Sequence, residues 1–164
     1  MISSPEKLSA NHILDEFDCG QPALSEWLQR YALVNQQAGT SRTFVVCSKK
    51  RVIGFYSLVV GAVDHAAATA RVAKGVARHP VPIMILARLG VDKRYKGQGI
   101  GKGLLKDALL RTVQAADLAG IRAILVHAKN EQAREFYEKV GFEPSPLDPL
   151  QLMLLMKDVR KAIK

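Results

Sequence analysis

A chain of 164 residues suits one compact domain, taken as residues 1–164, and 48% hydrophobic against 24% charged residues excludes a disordered tail. No apolar run approaches the ~20 residues that cross a bilayer, and no signal peptide is read, so a cytoplasmic protein is expected. The net charge of +9 is concentrated: residues 42–106 hold thirteen Lys and Arg against two acids, a surplus of +11. Such a basic face is either a solubility device or a surface for a polyanion, whether phosphate cofactor or nucleic acid.

In chain order, Pro22 followed by Leu24, Trp27, Leu28 and Tyr31 at helical spacing predicts a helix over 22–37. The run Thr43 to Cys47 and the stretch Val52 to Val63 predict an antiparallel hairpin turning at Lys49-Lys50-Arg51. Alanine-rich residues 65–78 have helical propensity and end at His79-Pro80. Ile83 to Val91 is apolar except for Arg88, as in a central strand covered on both faces. After a turn rich in Lys and Gly comes an amphipathic helix with Leu104, Leu105, Ala108, Leu109, Thr112, Val113 and Ala116 on one face. A strand over 121–128, a helix over 131–140 capped by Asn130 and closed by Gly141, and a strand over 150–156 complete the reading. The fold class is α/β, with a mixed sheet of antiparallel and parallel pairs.

The turn Arg94-Tyr95-Lys96-Gly97-Gln98-Gly99-Ile100-Gly101-Lys102-Gly103 joins a buried strand to a helix. Glycines let backbone N–H groups converge on a ligand, and the helix N-terminus adds unpaired donors and partial positive charge. Lys96 and Lys102 supply full charges. The alternative is a plain structural turn. The pattern does not match Gly-x-x-x-x-Gly-Lys-Ser/Thr, and the glycine spacing fits a dinucleotide fingerprint poorly. A pyrophosphate cradle is the better reading.

Arg94-x-x-Gly97-x-Gly99-x-Gly101, with Asn130 and Phe136-Tyr137-x-x-x-Gly141-Phe142 after it, resembles the GNAT family of N-acetyltransferases over roughly Phe44 to Met156. Phe17-Asp18-Cys19-Gly20, Leu24-x-x-Trp27-Leu28, Arg42-Thr43-Phe44-Val45, Gly54-Phe55-Tyr56-Ser57-Leu58 and Leu86-Ala87-Arg88-Leu89-x-Val91-Asp92 are similar to one subfamily. That subfamily is the acetyltransferase toxins of type II toxin–antitoxin modules, of the Tac type. The resemblance implies a GNAT fold with antiparallel N-terminal strands and helices on both sheet faces. It implies acetyl coenzyme A as cosubstrate, acetylation of the α-amino group of aminoacyl-tRNA, and a block to translation. It further implies a ribbon-helix-helix antitoxin, a homodimer, and operator DNA reached only through the antitoxin.

The cosubstrate would lie along the backbone of Leu89, Gly90 and Val91, with its pyrophosphate held by Lys96, Gly97, Gln98, Gly99, Ile100, Gly101 and Lys102. Asn130 either caps its helix or also touches the cofactor arm. Tyr137 would protonate the departing thiolate, although a tyrosine in so short a helix is otherwise a packed core residue. A free α-amine titrates near ~8 and lower beside an ester, so no strong base is needed. Arg71, Lys74 and Arg78, at helical spacing, with Arg88 and Lys93, would contact tRNA phosphates; the alternative is a solvated face. The histidines stand singly and Cys19 and Cys47 lack partners, so no metal is expected. Two other readings are an acetyltransferase of protein or small-molecule amines, and a catalytically silent nucleic-acid-binding module.

Overall fold

A computed structural model describes residues 1–163. The chain order is β1 (Glu6–Lys7), α1 (Pro22–Arg30), α2 (Ala32–Ala38), β2 (Arg42–Ser48), β3 (Arg51–Val63), α3 (Ala70–Ala73) and β4 (Val81–Val91). Then follow α4 (Ile100–Ala116), β5 (Ala123–His127), α5 (Glu131–Glu138), β6 (Glu143–Pro144), β7 (Gln151–Leu155) and α6 (Met156–Ala162). One seven-stranded sheet has the order β1-β2-β3-β4-β5-β7-β6, with β4 and β5 parallel and the β1–β2, β2–β3, β5–β7 and β6–β7 pairs antiparallel. The mixed α/β class and the antiparallel N-terminal hairpin are as expected. The chain divides into two compact units, Met1–Val59 with Ala87–Ala108, and Val60–Leu86 with the chain from Leu109 onward.

In the first unit the β2–β3 hairpin turns at Lys49 and Lys50, whose φ values of 51° and 65° supply the left-handed pair a two-residue hairpin requires. Strand alternation then sorts the side chains. Val45 and Phe55 join Phe17, Leu28 and Ala32 in a core beneath α1 and α2. Gly54, pointing the opposite way, lies against Ile100 and Leu104 of α4. The helices therefore cover both faces of this part of the sheet. Buried Gln36 ties α2 to the strands, donating from Nε2 to the Leu8 carbonyl at 2.6 Å and accepting from the Thr43 amide at 2.9 Å. Leu104, Leu105 and Ala108 are buried as the periodicity requires.

In the second unit Val63, Val72, Val81, Ile83, Ala123, Leu125 and Met153 form the core. Tyr137 packs edge-on between Phe136 (5.2 Å) and Phe142 (5.6 Å). Leu109 and Thr112 bury the later part of the α4 stripe.

Five elements differ from the sequence reading. The expected helix over 22–37 is two helices that meet at Tyr31, whose φ of −116° departs from helical geometry. The expected helix over 65–78 reduces to a 3-10 turn, His65–Ala67, and the single turn of α3. Lys74 is extended, Gly75 has φ +75°, and Arg122 caps the end by donating to the carbonyls of Val72 (3.0 Å) and Lys74 (2.9 Å). Arg71, Lys74 and Arg78 therefore do not share a helical face. The two-residue strands β1 and β6 and the helix α6, whose Val159 is fully buried, carry no periodic signal of their own.

Candidate active site

The glycine turn lies wholly in the first unit. After a 3-10 turn at Lys93–Tyr95, Gly97 and Gly99 take φ values of 83° and 79°, a left-handed conformation that side chains resist. A Cβ at either position would meet nothing within 4 Å, so the space in front of the turn is open. The seventeen-residue α4 starts one residue later with no acidic side chain in its first turn, leaving its N-terminal amides and partial positive charge uncompensated. Lys102 in that turn is exposed. Open space, a helix N-terminus and basic side chains are the donor set a pyrophosphate needs, and the residues fit such a group.

The turn is held by an acid. Asp92 is fully buried, and its carboxylate accepts from the Arg94 amide (2.9 Å), from Arg94 Nε (3.0 Å) and Nη2 (3.0 Å), and from the Asp18 amide (3.2 Å). Burial pushes this carboxyl upward, but the Arg94 guanidinium and the two amides outweigh that and hold it below the usual range. Arg94 is thus occupied by Asp92 rather than presented to a ligand. The loop before α1 is fastened to the same turn. Asp18 accepts from the Gly20 amide at 2.9 Å and pairs with Lys93 at 3.0 Å, which together lower its pKa. Lys96 Nζ donates to the Cys19 carbonyl at 3.0 Å. The separate motifs Phe17-Asp18-Cys19-Gly20 and Lys93-Arg94-x-Lys96 are therefore one hydrogen-bonded assembly.

Beside the turn, the ladder between β4 and β5 ends at Leu86↔Val126, while β4 runs on to Val91. Leu89, Gly90 and Val91 thus lie on strand backbone beyond the last β5 pair. Gly90 is required by close approach: a Cβ there would come to 3.1 Å of Leu24, 3.2 Å of Phe55 and 3.6 Å of Cys19. Two residues earlier on the same strand face, the Arg88 guanidinium lies 3.8 Å from the Trp27 ring centroid.

Asn130, Tyr137, Arg71, Lys74 and Arg78 belong to the second unit. Asn130 caps α5, its Oδ1 accepting from the Ala133 amide at 2.8 Å. Tyr137 is 9% exposed, and burial pushes its hydroxyl up to about 12, so it keeps its proton throughout the physiological range. Arg71 is bound through Nε (2.8 Å) and Nη2 (2.7 Å) to the two Asp158 oxygens, which raises its own pKa and lowers that of Asp158. Lys74 and Arg78 are exposed.

Glu6, His12 and Cys47 bring three potential metal-ligand atoms within 4.8 Å of one another. Their hydrogen bonds oppose ligation. His12 Nδ1 accepts from the Ser9 amide at 2.9 Å, so Nε2 carries the proton, which faces Glu6 at 2.9 Å. Burial pushes the Cys47 thiol up to about 11. Cys19 is buried beside the Ser25 hydroxyl at 3.3 Å. Sequence reasoning missed the part played by Asp92, which it carried only as a motif position and as one of two acids in the basic stretch, and gave no sign that Trp27 stacks on Arg88.

The sequence pattern of the acetyltransferase (GNAT) domain matches residues 39–144. The chain is 49% identical to the tRNA-acetylating toxin of Mycobacterium tuberculosis (strain ATCC 25618 / H37Rv), over 98% of this chain and 96% of that one. The structure is similar to AtaT complexed with acetyl-methionyl-tRNAfMet, at 26% identity and a TM-score of 0.90 over 100% of both chains. It is also similar, at 26% identity and a TM-score of 0.82, to an AtaT variant bound to the C-terminus of the antitoxin AtaR and acetyl-CoA, over 98% of this chain and 96% of that one. The open glycine turn at the head of α4 and the β4 backbone beyond its last β5 pair are thus seen in a chain that belongs to the GNAT acetyltransferases and, among them, to the tRNA-acetylating toxins.

Proposed function

We propose that this protein transfers the acetyl group of acetyl coenzyme A to the α-amino group of aminoacyl-tRNA and so stops translation. The observation that carries the reading is the pair of left-handed glycines ahead of an acid-free helix N-terminus, in a chain 49% identical to a tRNA-acetylating toxin. Acetyl coenzyme A supplies an activated acetyl group and a thiolate leaving group. The amides from Gly97 to Lys102 would hold its pyrophosphate and the Leu89–Val91 backbone its arm, as an added strand pairs with an edge. Tyr137 is the proton donor to the leaving sulfur, and its raised pKa keeps it in the donor form at neutral pH. The amine is neutral to a useful extent without a side-chain base. Asn130, besides capping α5, is proposed to meet the cofactor arm.

Lys74, Arg78, Arg88 and Lys93 are proposed to contact tRNA, and Arg71 to do so from within its pair with Asp158. A ribbon-helix-helix antitoxin, a homodimer over one GNAT domain spanning 1–164, operator DNA contacted through the antitoxin, and a cytoplasmic site of action complete the reading. The charge surplus of residues 42–106, thirteen Lys and Arg against two acids, is larger than one cofactor needs, which favours tRNA over small amines as acceptor. The test offers labelled acetyl coenzyme A together with aminoacyl-tRNA, with protein or with polyamine. Label on the aminoacyl-tRNA alone is expected. Equal or preferential labelling of protein or polyamine overturns the assignment.

A further inference from the structure

The sheet ends at β1 on one side and at β6 on the other, and both end strands are blunted. β1 is two residues long and carries the charges of Glu6 and Lys7. β6 is equally short and contains Pro144, which has no N–H to offer a partner. A third stretch of edge lies within the sheet. β3 spans Arg51–Val63, but its ladder with β2 stops at Arg42↔Leu58, and its other neighbour is β4. Among the described residues, no strand lies on the β2 side of Val60–Val63, a segment that belongs to the second unit.

This segment has none of the usual edge protection. Neither a charged residue nor a proline occurs between Arg51 and Asp64. Gly61 faces inward, since a Cβ there would come to 2.7 Å of Ile85. Strand alternation sends Val60 and Ala62 to the opposite face. Both are exposed, Val60 at 74%. A bare apolar strand edge is a template for another strand.

The run is suited to pair with itself. Antiparallel pairing about a two-fold axis sets a segment against its own copy, and an uncharged run does this without like charges facing each other. An axis perpendicular to the sheet keeps inner face beside inner face. With Gly61 opposite Gly61, Val60 of each copy falls opposite Ala62 of the other, so the two exposed apolar residues cover one another. A joint this short makes a dissociable dimer whose population follows protein concentration.

We infer that the Val60–Val63 edge of β3 is the surface through which this chain pairs with a second copy of itself, joining the two sheets edge to edge. The inference rests on the homodimer in the reading above and gives it a contact surface.

Sedimentation equilibrium of the full-length protein, without antitoxin or tRNA, is expected to show monomer and dimer in equilibrium. Val60→Lys places a charge on each side of the joint and should raise the dissociation constant about tenfold or more. Because Val60 is exposed, the far-UV spectrum and urea midpoint of the dilute variant should match those of the wild type. Disulfides read the register. The Val60→Cys, Ala62→Cys double variant should oxidise to a covalent dimer, because directly opposed positions lie about 4.5–5.5 Å apart. Val60→Cys alone should not, because its two copies lie on a diagonal of about 7–8 Å. The native Cys19 and Cys47 are buried and do not compete. A wild-type protein that is monomeric at every concentration reached overturns the inference. So does a Val60→Lys variant that dimerises as tightly as the wild type, which puts the joint on another face. A chain monomeric by itself that loses antitoxin binding on Val60→Lys overturns it in favour of an antitoxin segment at this edge. Acetyl transfer to aminoacyl-tRNA is followed on the same samples. Its absence with the dimer intact removes the enzymatic reading alone, whereas a monomer that acetylates aminoacyl-tRNA removes the interface alone.

Discussion

Lys96 Nζ donates to the carbonyl of Cys19 at 3.0 Å, across 77 residues of sequence. A lysine that reads as a phosphate ligand thus also fastens the loop before α1 to the cofactor turn. Replacing it by Ala should speed amide hydrogen exchange at Asp18–Gly20 more than anywhere else in the chain. Acetyl coenzyme A affinity should fall less than when the glycines of the turn are changed. Unaltered exchange in that loop would mean the contact restrains nothing.

Gly99→Ala tests the turn itself. The added Cβ has room, so the cost is the left-handed backbone, about 1–2 kcal/mol, borne by the conformation that presents the amides. Calorimetry should show acetyl coenzyme A binding weakened about tenfold. Gly103→Ala, inside α4 and in open space, should leave binding unchanged and raise stability by roughly 0.5–1 kcal/mol. Equal effects at both positions would remove the argument from φ.

Tyr137→Phe keeps the ring packed between Phe136 and Phe142 and removes only the hydroxyl. Turnover should drop roughly 10²–10⁴-fold with fold and cofactor affinity intact. Because burial pushes this hydroxyl up to about 12, the wild-type rate should rise with pH through the pKa of the amine and stay level to pH ~10. Near wild-type turnover in the variant, or an alkaline fall between about pH 8 and 10, would remove Tyr137 as proton donor.

Asp92 sets an acid limit. Its carboxyl is held below the ordinary ~3.9, so its stabilising effect is fully present above that value and is lost as pH falls through the lowered folded pKa. Stability should be flat from pH ~7 to ~5 on this account and decline below pH ~4. Asp92→Asn should cost about 2 kcal/mol at neutral pH and flatten the acid slope. Urea unfolding at neutral and acid pH measures both, and an unchanged slope would exclude Asp92 as the responsible group.

Lys74→Glu and Arg78→Glu should weaken tRNA acetylation without touching acetyl coenzyme A binding, and each should lower the log–log salt slope by about 1. Arg71→Glu should behave differently. It sets a carboxylate against Asp158 and so should also destabilise the second unit. A salt slope that none of the three changes would place the tRNA elsewhere.

The sequence by itself determined what depends on local pattern. The period-two runs of β2 and β3, the buried run of β4, the stripe of α4 and the glycines at 97 and 99 are each readable because strand, helix and turn impose their own spacing. The two-residue strands β1 and β6 escaped because a pair of residues has no period. The helix over 65–78 failed because alanine propensity, worth tenths of a kcal/mol per residue, gave way to Arg122, which arrives from 48 residues away to cap the Lys74 carbonyl. At the site, the cradle was legible and its fastening was not. Only the tertiary structure decided that Arg94 serves Asp92, that Lys96 bonds Cys19, and that Arg88 stacks on Trp27. Charge and composition are additive along a chain and can be counted, whereas which cation finds a carboxylate and which is left for a ligand is settled by packing between distant segments.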